Sequence, residues 1–311
     1  MLSRIAESLF WIGRYIERAD DTARILDIYL QQILEDASVE DEACRSLFEV
    51  MGRPMPEDGS PVGVREVLQQ LAYDRQAASS ITGALAAGRV NARSARDSVS
   101  SELWEALNLT YLDLSEQRRR AERMGPHRFF QWVRERTALA SGVADSTMSR
   151  DEGWLFLDLG RSIERVDMTA RLLTTRATGT SGPNWTTLLR ACGANEAYLR
   201  TYRGRVSDRT AGEFLMLDRL FPRSLFFALS RAEDRIQELD RGGDGRVGTD
   251  DPARRQLGRA RTGLEFLGVD EMMQDLQGNL EAVQTACADA TSAVGTRYFP
   301  HAVIEWVGKG A

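Results

Sequence analysis

One helix-length signature occurs twice in this chain, and that repeat narrows the possible folds more than any other feature. Gly13-Arg14-Tyr15-Ile16-Glu17-Arg18-Ala19-Asp20, running on to Arg24, matches Gly160-Arg161-Ser162-Ile163-Glu164-Arg165-Val166-Asp167, running on to Arg171. A second echo follows at nearly the same offset, where Asp74-Arg75, Ser80 and Ala84-Leu85 correspond to Asp218-Arg219, Ser224 and Ala228-Leu229. Self-similarity at a fixed spacing marks a duplicated unit. The sequence therefore reads as two related halves, residues 1–150 with Glu17-Arg18 and residues 151–311 with Glu164-Arg165, packed as one compact unit.

On a helical wheel Leu9, Ile12, Ile16, Ala19, Ala23, Leu26 and Leu30 form an apolar stripe. Phe156, Leu159, Ile163, Val166, Ala170 and Leu173 form its twin. Such a stripe faces a core. Beside it runs a polar stripe, Gly13, Glu17, Asp20 and Arg24, repeated as Gly160, Glu164, Asp167 and Arg171. A third face carries Arg14 and Arg18, repeated as Arg161 and Arg165. A helix with one solvated face has no physical need to repeat on every side, so both copies are expected to be central and nearly surrounded.

Apolar residues recur at helical spacing almost throughout, and no run alternates long enough to be a strand, so the fold class is all-α, a helical bundle. Helices are expected over 3–35, 41–50, 64–73, 79–97, 101–123 and 127–145, then over 151–175, 185–201, 208–220, 222–239, 252–267 and 269–294. Composition agrees with a chain folded throughout: 42% hydrophobic, 28% charged and eight prolines in 311 residues. The first residues lack the apolar core of a signal peptide, and no stretch approaches the roughly 18 apolar residues of a membrane span. Cys44, Cys192 and Cys287 are odd in number and form no CxxC pair, which points to the cytoplasm. A net charge of −6 disfavours nucleic acid.

Nearly every cation is arginine, Lys309 being the exception, and guanidinium forks suit carboxylates and phosphates. The repeated residues admit two readings. Glu17, Arg18, Glu164 and Arg165 can form buried ion pairs that fix how the halves dock. Alternatively, the two helices present their charges to a ligand. On the second reading Arg18 sits at a solvated site, and Arg18→Ala would cost less than roughly 2 kcal/mol. A metal reading, with Mg²⁺ between Glu17, Asp20, Glu164 and Asp167, is weaker, because arginines stand beside those carboxylates. No metal or cofactor is expected. The di-iron pattern fails for want of Glu-x-x-His, the histidines being His127 and His301. Neither histidine has a recognisable catalytic partner, and no Walker or GxGxxG loop occurs. The segment 240–251 spaces its aspartates partly like an EF-hand loop, but Gly242 and Asp251 stand at ligand positions that need other side chains, so it is read as a solvated loop.

The opening Met1-Leu2-Ser3-Arg4, the two Glu-Arg sites, Asn91-Ala92-Arg93, Arg96-Asp97, Ser101-Glu102-Leu103-Trp104-Glu105, Tyr202-Arg203-Gly204-Arg205-Val206 and Leu217-Asp218-Arg219-x-Phe221-Pro222-Arg223-Ser224 together resemble the bacterial alpha-E family. The likeness covers nearly the whole chain. It implies an all-helical fold and a partnership with an ATP-grasp family ligase that makes amide or peptide bonds, with a transglutaminase-like protease as a further partner. It marks Glu17, Arg18, Glu164 and Arg165 as the motif positions, with Arg93, Arg96 and Asp97 as secondary candidates. The expected function is a helical partner that binds the ligase, or an acidic peptide or amino acid, through the Glu-Arg helices. A metal-assisted phosphohydrolase and a structural scaffold are the alternatives.

Overall fold

A computed structural model describes residues 1–55, 60–178, 183–240 and 250–300. Among these residues the regular elements are helical, with no strand. The helices are α1 (Ser3–Glu35), α2 (Glu40–Val50), α3 (Val64–Val67), α4 (Ile81–Ser94), α5 (Ser101–Met124), α6 (His127–Thr147) and α7 (Glu152–Thr178). They continue with α8 (Trp185–Ala191), α9 (Asn195–Tyr202), α10 (Asp208–Leu217), α11 (Leu225–Leu239), α12 (Pro252–Glu265), α13 (Val269–Gln274) and α14 (Leu276–Tyr298). A 3₁₀ turn, Ala37–Val39, precedes α2, and a π turn, Leu68–Tyr73, follows α3. The aspartate-spaced stretch at 241–249 and His301 lie outside the described residues.

The two long signature helices, α1 and α7, pack on each other along the most extensive contact in the molecule. Every residue of both apolar stripes is buried, which removes them from water and fills the space between the helices and their neighbours. Around α1 lie α4 and α6, with α5 packed on both; around α7 lie α11 and α14, with α12 packed on both. Burial of α1 extends to Glu17, Asp20, Asp21, Thr22 and Asp27, so its polar stripe is interior as well.

The second sequence echo builds the same local device twice. Asp74 accepts backbone N–H groups of Gln76 and Ala77, and Asp218 accepts those of Leu220 and Phe221. Ser80 then caps α4 through Gly83 N at 3.0 Å, and Ser224 caps α11 through Phe227 N at 3.1 Å. Each hydroxyl also donates back to the carbonyl of its aspartate, Asp74 or Asp218. The turn uses the residues before the cap, so α4 begins at Ile81 and α11 at Leu225, later than periodicity alone indicates.

Two helices expected to be continuous are broken. The chain turns at Gly193, whose φ of +63° is left-handed, and this separates α8 from α9. Asp275 leaves helical geometry and caps α14 through Gly278 N at 3.1 Å, separating it from α13. No helix among the described residues is long and apolar enough to cross a membrane.

Candidate functional site: a Glu-Arg lock between two helices

The backbones of α1 and α7 meet at the glycines that open the two signatures. A Cβ placed on Gly13 would lie 2.0 Å from the carbonyl oxygen of Leu157, and one on Gly160 would lie 2.0 Å from that of Phe10. Only hydrogen fits at either point. This close approach brings the side chains one turn further along each helix within reach of the opposite helix.

The charges then pair across the interface. Arg165 binds Glu17 with two parallel bonds, Nε to Oε1 at 2.6 Å and Nη2 to Oε2 at 2.7 Å. Arg18 binds Glu164 in the same manner, Nε to Oε1 at 2.5 Å and Nη2 to Oε2 at 3.0 Å. The two forks are reciprocal: each motif glutamate receives the motif arginine of the other helix. Each carboxylate also holds a second arginine, Glu164 taking Arg14 Nε at 2.6 Å and Glu17 taking Arg223 Nη1 at 3.0 Å. Both glutamates are almost fully buried. Burial pushes the Glu17 carboxyl up, but Arg165 and then Arg223 outweigh it and hold it at about 2. Burial opposes ionisation of Glu164 too, and Arg14 and Arg18 hold that carboxyl below its ordinary range. Arg18, which the ligand reading set at a solvated site, and Arg165 are therefore both committed to internal carboxylates. Removing either would leave a buried charge short of a partner.

Arg223 was not a candidate from sequence, yet it joins three acids. Besides Glu17 it contacts Asp20 Oδ2 at 2.5 Å and Asp21 Oδ1. Arg24 also bonds Asp20 at 2.8 Å, and Thr137 donates to it at 3.2 Å. The Oδ2 of Asp21 is buried without a hydrogen-bond partner among the described residues, and burial pushes its carboxyl up to about 7, Arg223 opposing the rise and Glu17 and Asp20 adding to it. Glu17, Asp20 and Asp21 offer oxygens within 4.8 Å of one another, the spacing a cation would need. A guanidinium is already bonded to each of them. The four-carboxylate metal arrangement is likewise occupied by arginine: Arg14 and Arg18 on Glu164, and Arg171 on Asp167 at 2.9 Å. Burial raises the Asp167 carboxyl despite Arg171.

A second cluster surrounds Asp158, which is buried. Arg161 and Arg231 donate to it, the latter at 2.9 Å, and Arg235 lies 3.2 Å away. Arg161 also reaches Asp145 at 3.3 Å. Signature residues open onto two clefts. Arg161 and Arg165, with Arg231, Ser162, Asp145 and Asp158, line one of about 260 Å³. Arg14, Asp167 and Arg171, with hydroxyls of α14, line another of about 610 Å³.

Arg93, Arg96 and Asp97 are not part of this assembly. All three are exposed at the end of α4, where Arg96 lies over the Trp104 ring at 5.8 Å. His127 does have a partner, its Nδ1 lying 2.6 Å from Oδ1 of the buried Asp27. Phe129 and Phe130 are core, as their spacing indicates. All three cysteines are buried and free; burial pushes the Cys44 thiol to about 11 and that of Cys192 to about 12, so neither is a thiolate nucleophile at neutral pH. The residues missed from sequence, Arg223, Asp21, Asp158 and Arg231, have no counterpart in the sequence repeat: the position matching Asp21 is Met168, and that matching Asp158 is Trp11. A repeat-based search passes over them. The Leu217–Ser224 stretch that carries Arg223 was the available signal.

Fold and site define a class: an all-helical protein whose central helix pair is locked by reciprocal buried glutamate–arginine forks. The chain belongs to the Alpha-E family, described as a predicted alpha-helical domain with a conserved ER motif, which matches residues 1–299. It is also similar to uncharacterized proteins of Mycobacterium bovis and Mycobacterium tuberculosis, 25% identical over 262 residues, an alignment covering 76% of this chain and 30% of each relative. The chain thus spans about a third of the length of these relatives. No solved structure matches it.

Proposed function

We propose that this protein is a helical accessory partner of an ATP-grasp amide or peptide ligase, and that it holds an acidic peptide or amino acid on the arginine cleft beside the Glu-Arg lock. The observation that carries this reading is the division of labour among the arginines. The lock uses Nε and Nη2 of Arg165, and the Asp158 cluster uses Nε and Nη2 of Arg161 and Nε of Arg231. The remaining guanidinium nitrogens of these three residues have no hydrogen-bond partner among the described residues, and all three residues line the 260 Å³ cleft. Planar N–H donors pre-positioned by buried carboxylates suit recognition of a carboxylate. A glutamate held at about 2 by two arginines is a poor base at neutral pH, which favours binding over acid–base chemistry.

The partner class comes from the family resemblance, and a transglutaminase-like protease is a further candidate from the same source. The relatives support a unit that works beside more polypeptide, because the matched region is 30% of their length. The duplicated-half reading is supported by the reciprocal forks and the paired turn-and-cap devices.

The test is co-purification with the ATP-grasp ligase, followed by ATP-dependent ligation with and without this chain. Arg231→Ala should fold, retain the ligase and weaken binding of a glutamate-rich peptide at least about tenfold, roughly 1.4 kcal/mol. No association in the wild type removes the accessory reading, and unchanged peptide binding in Arg231→Ala removes the cleft. The phosphohydrolase alternative draws on the proximity of Glu17, Asp20 and Asp21, and requires a cation to displace Arg223. A Mg²⁺-dependent rise in Tm that Glu17→Gln abolishes would support it.

A further inference from the structure

The α12 helix buries Ala253, Leu257 and Leu264 and turns Arg255, Arg259, Thr262 and Gly263 outward, a run that continues into Phe266 at its end. From Arg255 to Phe266 this strip spans about 16 Å. It borders a groove of about 650 Å³ whose other wall includes Glu233 of α11 and Glu271 of α13. Glu233 is taken by Arg261 at 2.6 Å, whereas Arg255 and Arg259 have no partner among the described residues. The Nε of Arg254, also on the groove, is buried without a hydrogen bond among the described residues and lies 4.0 Å from Glu233 Oε1. Phe266 is 80% exposed, and Leu220, in the loop tied to the same end of α12 by Arg219 and Glu265, is 85% exposed. A Cβ on Gly263 would meet nothing within 4 Å, so the strip is open there.

We propose that this face of α12 docks an acidic amphipathic helix of a partner protein. Carboxylates one helical turn apart on the partner pair with Arg255 and Arg259, which are themselves one turn apart, and an apolar side chain packs over Gly263 against Phe266. Charge complementarity selects an acidic occupant. The bordering carboxylates Glu233, Glu265 and Glu271, on a chain of net charge −6, oppose a continuous polyanion but not a helix whose carboxylates are spaced. The exposed aromatic supplies the apolar anchor around which such interfaces concentrate their energy.

The probe is a fluorescein-labelled synthetic helix with glutamates at i,i+4 and a central leucine, titrated with the full chain and read by anisotropy. The wild type should bind. Arg255→Glu/Arg259→Glu should weaken binding at least tenfold and Phe266→Ser severalfold, both with little change in Tm, because Arg255 and Arg259 have no partner among the described residues and Phe266 is 80% exposed. Neither variant touches the α1–α7 lock or Arg231, so failure here is separable from failure of acidic-substrate binding. The proposal is overturned if the wild type does not bind, or if charge reversal leaves binding unaltered. It is also overturned if single-stranded DNA or phosphatidylglycerol vesicles bind as well as the helix and Phe266→Ser changes nothing, since the strip would then read charge alone.

Discussion

Glu164 sits in a near-dry environment with Arg14 and Arg18 on its two oxygens, and everything about its neighbours follows from that. Arg18→Ala leaves a buried carboxylate with half its compensation, so it should cost about 3 kcal/mol, near the lower end of the range for breaking a buried pair because Arg14 remains. Chemical denaturation measures this; a loss below about 1 kcal/mol would place the pair with solvated ion pairs. Protonation tests the same chemistry from the other side. Glu17 is held at about 2 against an ordinary 4.5, so its contribution is complete above about 4.5 and is lost as pH falls toward 2. Asp21 has the opposite sign: its carboxyl is raised to about 7, so the stability tied to its proton is present below the ordinary 3.8 and is lost as pH rises through 7. Thermal melts across pH should therefore show wild-type stability declining on both flanks. Asp21→Asn should flatten the decline between about pH 3.8 and 7 and leave the acid flank in place; an unaltered decline there would show that Asp21 is ionised throughout.

At the scale of elements, the approach of α1 to α7 depends on two hydrogen atoms. Replacing a helical glycine by alanine ordinarily stabilises by about 0.5–1 kcal/mol. Gly142, within α6 and with nothing within 4 Å of a Cβ, should follow that rule. Gly13→Ala and Gly160→Ala should do the reverse. The new methyl would lie 2.0 Å from a carbonyl oxygen of the facing helix, so the pair must separate, at a cost of about 1–3 kcal/mol from overpacking and more from loosened forks. Differential scanning calorimetry on the three variants should give opposite signs for Gly142→Ala and the two lock glycines. A common sign would show that the helices have room to slide.

Across the whole molecule, the lock joins residues about 150 positions apart, with α4 and α6 packed on one of its helices and α11 and α14 on the other. Splitting the chain at 150 would strip α1 of its widest contact, expose its apolar stripe to water and leave Glu17 without Arg165 or Arg223. The full chain should melt in one transition with the calorimetric and van't Hoff enthalpies equal, and residues 1–150 alone should show no cooperative melt. Two resolved transitions in the full chain, or a stable fragment, would make the halves separate folding units.

Much of the architecture was legible in the sequence because helical periodicity is a local property: both apolar stripes, nearly all long helices and the importance of Glu17, Arg18, Glu164 and Arg165 can be read residue by residue. Breaks that depend on one residue's backbone, at Gly193 and Asp275, were not, since the flanking apolar pattern continues through them. The tertiary structure alone decided which charge meets which. Whether Arg18 faced water or Glu164 depended on how closely α1 and α7 approach, and therefore on the two glycines acting together. The same holds for Arg223, which lies more than 200 positions from Asp20 and Asp21 in the sequence and which the fold sets against three acids. Local spacing specifies which face a side chain occupies; only packing brings the opposing face, and the low dielectric that gives a buried charge pair its consequence.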